Sequence, residues 1–169
     1  ILNTDAPAPQ VLAVSRELAR ASGARGMVVG QAIDLGAVDT VPDLNVLERM
    51  HAHKTGALIE AAIIMGALSV GEDDPANMKA LRTFAKAVGL SFQVQDDILD
   101  VIADTSTLGK RQGSDQDRNK PTYVSLLGLD GARQKAQQLH KAAIDALCHF
   151  DESADILRDL SAYIVHRKA

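Results

Sequence analysis

The feature that most constrains this chain is a run of carboxylates inside an apolar helical pattern, from Phe92 to Asp100. On a helix, Gln93, Asp96 and Asp100 lie at positions i, i+3 and i+7 and share one stripe, with Asp97 beside it. Carboxylates on adjacent faces repel each other, and an apolar setting raises the cost of that repulsion. A cation would offset it, and Mg²⁺ with a diphosphate suits the place because Mg²⁺ takes one or two carboxylates together with phosphate oxygens.

A second interpretation is that these acids form a solvated helix face, as acid clusters on helices often do. The surrounding sequence counts against it, because the flanks and gaps of the cluster are apolar: Val88, Leu90, Phe92, Val94, Ile98, Leu99, Val101 and Ile102. We therefore favour a cluster with a cationic partner and keep the solvated face as the alternative.

The composition predicts one soluble, all-α domain with an aliphatic core. The chain has 169 residues, 46% hydrophobic and 24% charged, with only 3% aromatic, and it shows no alternating strand pattern. A net charge of −4 gives no basic footprint for nucleic acid, and no segment approaches the roughly 18 apolar residues of a membrane span. The single cysteine, Cys148, fits a reducing, cytoplasmic location, and we expect it to be a small buried residue of a helix.

The apolar periodicity predicts helices separated by glycine, proline and acidic turns. Their expected bounds are 10–35, 43–70, 76–103, 122–129, 130–150 and 153–168. The polar connection 104–121 carries several basic residues, and a connection of this length in a compact domain is more often functional than idle.

Three lysines are candidate partners for the acids. Lys54 lies in an otherwise apolar helix, Lys110 follows Gly109 in the polar connection, and Lys120 precedes Pro121. Lys54 alone is equally well explained as a solvated lysine, and Lys110 and Lys120, each taken alone, are most often surface residues. Together with the acidic helix they predict metal-assisted departure of a diphosphate, with Lys54 and Lys110 stabilising the leaving charge and an aliphatic cavity sheltering a cation.

Several motifs in one order along the chain resemble those of the trans-isoprenyl diphosphate synthases, most closely the bacterial farnesyl diphosphate synthases (geranyltranstransferases). They are Gly30–Leu35 (GQAIDL), His53–Ile59 (HKTGALI), Phe92–Asp100 (FQVQDDILD), Thr107–Gly113 (TLGKRQG), Asn119–Tyr123 (NKPTY) and the closing Tyr163-Ile164. One aspartate motif would be weak support, whereas this ordered set covers essentially the whole chain.

The resemblance implies an all-α bundle of the isoprenoid synthase type around a central cavity, homodimeric when full length. It implies ionisation of an allylic diphosphate, attack on the cation by isopentenyl diphosphate, and proton loss. Asp96, with Asp97 and Asp100 in support, would coordinate Mg²⁺. The allylic diphosphate would contact Lys54, Thr55, Gln93, Lys110 and Lys120, while Gln31 and Asp34 would line or brace the site.

The resemblance covers only the carboxyl-terminal part of such a synthase, as a single domain over residues 1–169. The family's first aspartate-rich motif, its isopentenyl diphosphate ligands and its product-length residues lie upstream of the matched motifs. We therefore expect these residues alone to be inactive and to expose apolar helix faces.

Three alternatives stay open. The first is a geranylgeranyl or longer-chain synthase. The second is a non-catalytic partner subunit, although the intact Asp96, Asp97 and Asp100 argue against it. The third is a helical interaction module without a ligand.

Overall fold

The computed structural model describes residues 1, 4–36, 43–102 and 121–168, and every regular element within these ranges is helical. The α-helices are α1 (Ala8–Ser22), α2 (Met27–Gly36), α3 (Leu44–His51), α4 (Ala57–Ser69), α5 (Pro75–Ile102), α6 (Tyr123–Ala146) and α7 (Asp155–His166). A π-helical turn, Ala52–Gly56, joins α3 to α4, and a 3₁₀ turn, Glu152–Ala154, precedes α7. The all-α prediction is confirmed.

Polar side chains begin the helices that carry the site. Asp43 Oδ1 accepts from the backbone N–H of Asn45 at 2.9 Å and starts α3. Asp74 Oδ1 accepts from the N–H groups of Ala76 and Asn77, both at 2.9 Å, and starts α5. Such caps satisfy N–H groups that have no partner inside the helix.

One of the predicted helices is wrong, and the division predicted near residue 129 is confirmed. The expected helix 10–35 is divided between α1 and α2, because the chain turns so tightly that a Cβ at Gly26 would lie 2.0 Å from Ala21 O. The two helices expected over 122–150 are present, because α6 is interrupted at Gly128, where φ is 71° and ψ is 166°, close to the expected boundary between residues 129 and 130. Cys148 is exposed beyond the end of α6, so its expected burial is also wrong.

Helix α5 lies at the centre of the fold and packs against α4, α6 and α7. Leu81, Phe84 and Val88 of α5 are buried in one core cluster with Ile64 of α4. A second cluster places Val94 and Ile98 of α5 against α3 and α6. These clusters fix the direction of the polar stripe of α5. No helix in the described ranges is long and apolar enough to cross a membrane.

Candidate functional site

The candidate site is built around the π-helical turn Ala52–Gly56, which holds Lys54 and Thr55. A π turn inserts an extra residue into the helical repeat, so it changes the direction of the following side chains, and such turns recur at functional sites. Helices α2 and α5 both approach this turn closely. A Cβ at Gly30 would lie 2.1 Å from the Lys54 backbone nitrogen, and a Cβ at Gly89 would lie 3.2 Å from Gly56 Cα.

On the α2 side, Lys54 forms an ion pair with Asp34. Lys54 Nζ donates to Asp34 Oδ2 at 2.6 Å, and the Asp34 side chain is only 11% exposed whereas that of Lys54 is 35% exposed. A mostly buried carboxylate needs such a partner, because its desolvation is costly. Asp34 therefore braces Lys54, while enough of the lysine stays accessible to meet a ligand.

On the α5 side, Thr55 meets Gln93. Thr55 Oγ1 donates a long hydrogen bond of 3.4 Å to Gln93 Oε1, and both residues are partly exposed. Gln93 belongs to the polar stripe of α5, one turn before Asp96 and two turns before Asp100. The structure thus pairs Asp34 with Lys54 and Thr55 with Gln93, and the π turn joins the two pairs.

The first aspartate of the predicted cluster is paired with an arginine that sequence reasoning missed. Arg167 Nη2 forms an ion pair with Asp96 Oδ1, and the Arg167 guanidinium carbon lies 4.5 Å from the centroid of the Phe92 ring. Gln95 Nε2 also donates to the Arg167 carbonyl at 3.3 Å. In the sequence, Arg167 is only a basic residue near the chain end, and no local pattern indicates its partner.

Asp97 has a structural contact in this arrangement. Its Oδ2 accepts from the backbone N–H of Tyr123 at 2.6 Å, which ties α5 to the start of α6. Tyr123 is fully buried and stacks on His51 with ring centroids 5.7 Å apart. Burial raises the pKa of the Tyr123 phenol well above its usual value, with smaller contributions from Glu48 and Asp97. Tyr123 is therefore neutral at physiological pH.

The donor chemistry fits a magnesium ion, although the described residues do not form a closed cage. Among them, no three His, Cys, Asp or Glu side chains converge closely enough to hold a metal. Asp96 and Asp100 nevertheless lie one turn apart on α5, with Asp96 46% exposed. Mg²⁺ usually binds one or two carboxylates and completes its shell with water and phosphate, so two carboxylates one turn apart suit it.

For the remaining predicted contacts to the diphosphate, Gln31, Lys110 and Lys120, the structure gives less information. Gln31 is exposed on α2, one turn before Asp34, and reaches no described partner. Lys110 and Lys120 lie outside the described residues. Their predicted contacts with a diphosphate stay predictions.

Comparison with known proteins gives a consistent family. The polyprenyl synthetase family model matches residues 7–160. The chain is 48% identical over 172 residues to Escherichia coli farnesyl diphosphate synthase, covering 97% of this chain and 58% of that protein. It is 45% identical over 166 residues to Arabidopsis thaliana geranylgeranyl pyrophosphate synthase 9, covering 96% of this chain and 46% of that protein.

The fold matches solved structures of the same kind. A Helicobacter pylori geranyltransferase, solved in complex with magnesium and isoprenyl diphosphate, superposes with a TM-score of 0.81 at 32% identity. That match covers 97% of this chain and 54% of the geranyltransferase chain. The chain thus spans about half the length of the relatives it matches. On its sequence match and its fold, the chain belongs to the polyprenyl synthetase family.

Proposed function

We propose that this chain is the Mg²⁺- and allylic diphosphate-binding part of a prenyltransferase. The reaction would join isopentenyl diphosphate head to tail to dimethylallyl or geranyl diphosphate and give farnesyl diphosphate, in the biosynthesis of isoprenoids. The observation that carries the proposal is the line of contacts Asp34–Lys54 and Thr55–Gln93, which continues one turn along α5 to Asp96. It sets a cation, a hydroxyl, an amide and a carboxylate on adjoining rigid elements.

Each of these groups has a distinct task toward a diphosphate. Lys54 would donate to the oxygens of the leaving group, where negative charge grows as the carbon–oxygen bond breaks. Thr55 and Gln93 would orient the diphosphate through hydrogen bonds, because a fixed geometry lowers the entropic cost of reaction. Lys110, Lys120 and Gln31 are proposed as further contacts to the same group.

The proposed metal ligands are Asp96 and Asp100, with Asp97 in support. Mg²⁺ bound there would supply Lewis-acid withdrawal of charge from the diphosphate. Asp97 already anchors α5 to Tyr123 through one oxygen, so its support of the site would include holding the helix in place. Ionisation leaves an allylic cation, which the double bond of isopentenyl diphosphate attacks, and loss of a proton completes the product.

Farnesyl diphosphate is the proposed product because the E. coli relative that carries that name shares 48% identity with the chain. The Arabidopsis relative at 45% identity is named for geranylgeranyl pyrophosphate, so a longer product is the second candidate. A non-catalytic partner subunit is the remaining alternative. A cytoplasmic homodimer is proposed for the full-length enzyme, to be tested by light scattering after size-exclusion chromatography.

A chimera tests the activity directly. This chain replaces the matching carboxyl-terminal part of the E. coli enzyme, and labelled isopentenyl diphosphate is supplied with geranyl diphosphate and Mg²⁺. We expect farnesyl diphosphate as product and a fall in kcat of at least about a hundredfold in Lys54→Ala and Asp96→Ala, the scale of losing a transition-state contact.

The matched controls are Lys141→Ala and Asp130→Ala, whose side chains are 76% and 91% exposed and lie away from the site. Both should act like the parent chimera. Full activity in Lys54→Ala and Asp96→Ala would contradict the proposal, and a geranylgeranyl product would favour the longer-chain alternative.

A further inference from the structure

A cavity lined by both charged and apolar residues lies beside the candidate site, on the side of the π turn that His53 faces. Its volume is about 450 Å³, and it is lined by Arg20, Arg25, His53, Glu60 and Lys86 with small apolar residues between them. Of the residues proposed for the allylic diphosphate or for Mg²⁺, those within the described ranges do not line it. The cavity therefore uses other residues of the same π turn, Ala52, His53 and Gly56, on a different side from Lys54 and Thr55.

The inner wall of this cavity is a closed ion-pair network. Arg82 Nη1 lies 2.7 Å from Glu60 Oε1 and 3.0 Å from Glu17 Oε1, and Arg20 Nη2 lies 2.6 Å from the same Glu17 oxygen. Glu17 and Glu60 are only 6% and 8% exposed. The two carboxylates and two guanidinium groups neutralise each other, so Glu60 is already partnered and adds little free negative charge to the cavity.

Arg25 and Lys86 have no such partner. In the part of the chain that the structure describes, neither side chain takes part in an ion pair or a hydrogen bond, and both are exposed at the cavity. The cavity wall and its network thus have an excess of two positive charges, in a chain whose net charge is −4. His53 adds an imidazole that can donate a further hydrogen bond.

We propose that this cavity binds a small molecule through a diphosphate group, as a second anion site separate from the candidate site. Its volume falls within the roughly 300–1,000 Å³ of small-ligand pockets. The Arg25 guanidinium offers a planar fork suited to phosphate oxygens, and Lys86 supplies a second point charge from the neighbouring helix. The buried network behind them holds the wall rigid. The proposal does not depend on the proposed function, since it uses different residues.

The site has a direct structural link to Lys54. The π turn presents His53 to the cavity and Lys54 to Asp34, so a ligand on His53 contacts the turn that positions Lys54. A diphosphate bound there would influence the candidate site through that shared turn.

Calorimetric titration with inorganic diphosphate tests the proposal, using the 169-residue chain in EDTA so that metal-dependent binding does not contribute. We expect saturable binding that is weakened at least about tenfold in Arg25→Gln/Lys86→Gln, because two charge-assisted contacts are lost. Lys86→Arg keeps the charge and should bind like the parent. The imidazole NMR signals of His53 should shift as diphosphate is added.

Two control variants locate the bound anion. Lys79→Gln removes a lysine of the same helix that does not line the cavity, and it should leave the affinity within about twofold of the parent. Lys54→Ala should weaken diphosphate binding less than Arg25→Gln/Lys86→Gln does. If Lys54→Ala abolishes binding while Arg25→Gln/Lys86→Gln does not, the diphosphate occupies the candidate site and the proposal is overturned. Equal loss in Lys79→Gln, or no saturable binding, would overturn it as well.

Discussion

Lys54 Nζ and Asp34 Oδ2 lie 2.6 Å apart and join α2 to the π turn that carries the proposed diphosphate contacts. Because Asp34 is the more buried partner, removing the Lys54 ammonium group takes one ion-pair partner from a poorly solvated carboxylate. The pair therefore contributes both to stability and to the proposed diphosphate binding, and the two contributions can be measured separately.

We predict that Lys54→Ala lowers the free energy of unfolding by about 1–2 kcal/mol, and that Lys54→Ala/Asp34→Ala recovers part of that loss. Mg²⁺-dependent binding of geranyl diphosphate should be lost in both variants, since both lack the ammonium group. Urea unfolding and calorimetry measure the two effects. A double variant no more stable than Lys54→Ala would contradict the predicted recovery.

The approach of α2 to the π turn gives a second prediction. Gly30→Ala places a Cβ 2.1 Å from the Lys54 backbone nitrogen, so one of the two segments must move, and we expect a loss of about 1–3 kcal/mol in the free energy of unfolding. Gly66→Ala is the control, because its Cβ meets nothing within 4 Å and it lies inside α4. That substitution should stabilise the chain by about 0.5–1 kcal/mol. Thermal unfolding that ranks the two variants in the opposite order would contradict the packing described.

Much of the candidate site could be predicted from the sequence, for a physical reason. Gln93, Asp96 and Asp100 share a face because the helical repeat dictates it, and the apolar residues between them orient that face. The family resemblance assigned Lys54 and Asp34 to one site, but the contact between them was not predicted, because no local pattern connects residues 20 positions apart.

Other features depend on tertiary contacts that a local pattern does not contain. The residue types of the π turn Ala52–Gly56 do not distinguish it from an ordinary α-helix. The division of α1 from α2 depends on how closely Gly26 approaches Ala21. The pairing of Arg167 with Asp96 joins residues 71 positions apart, and only the packing of α7 on α5 brings them together. The second cavity likewise requires residues from α1, the π turn and α5 at once.

Arg167 gives a third prediction, about metal affinity. Its guanidinium occupies an oxygen of Asp96 that the proposed site assigns to Mg²⁺, so the two cations compete. Arg167→Ala should tighten Mg²⁺ binding by about two- to fivefold, the scale of a partly exposed ion pair. Arg167→Lys keeps the charge and should resemble the parent. Calorimetric titration with Mg²⁺ measures the change, and weaker binding in Arg167→Ala would mean that Arg167 supports the metal site instead.

The Glu17 network gives a fourth prediction, about pH. Burial alone would raise the pKa of Glu17, but hydrogen bonds and charge from Arg20 and Arg82 lower it from 4.5 to about 2. As the pH falls from about 4.5 to 2, the unfolded state binds more protons than the folded state, so stability is lost over that interval. The full stabilisation, of about 3 kcal/mol, is present above pH 4.5.

Glu17→Gln tests this assignment. It should be less stable than the parent at pH 7 and should lose less stability between pH 4.5 and 2, in urea unfolding measured across that range. Glu152→Gln, at an exposed position outside the network, should follow the parent at every pH. If the free energy of unfolding falls with pH equally in Glu17→Gln and in the parent, the Glu17 carboxylate does not cause the acid sensitivity.

The most direct test of the central claim is calorimetric binding of geranyl diphosphate with and without Mg²⁺, in the Arg25→Gln/Lys86→Gln background that removes the cations of the second cavity. The proposed site predicts binding that requires Mg²⁺ and that disappears when Asp96→Ala or Lys54→Ala is added. Binding that ignores Mg²⁺, or that survives both substitutions, would contradict the account, and no binding at all would favour a helical module without a ligand.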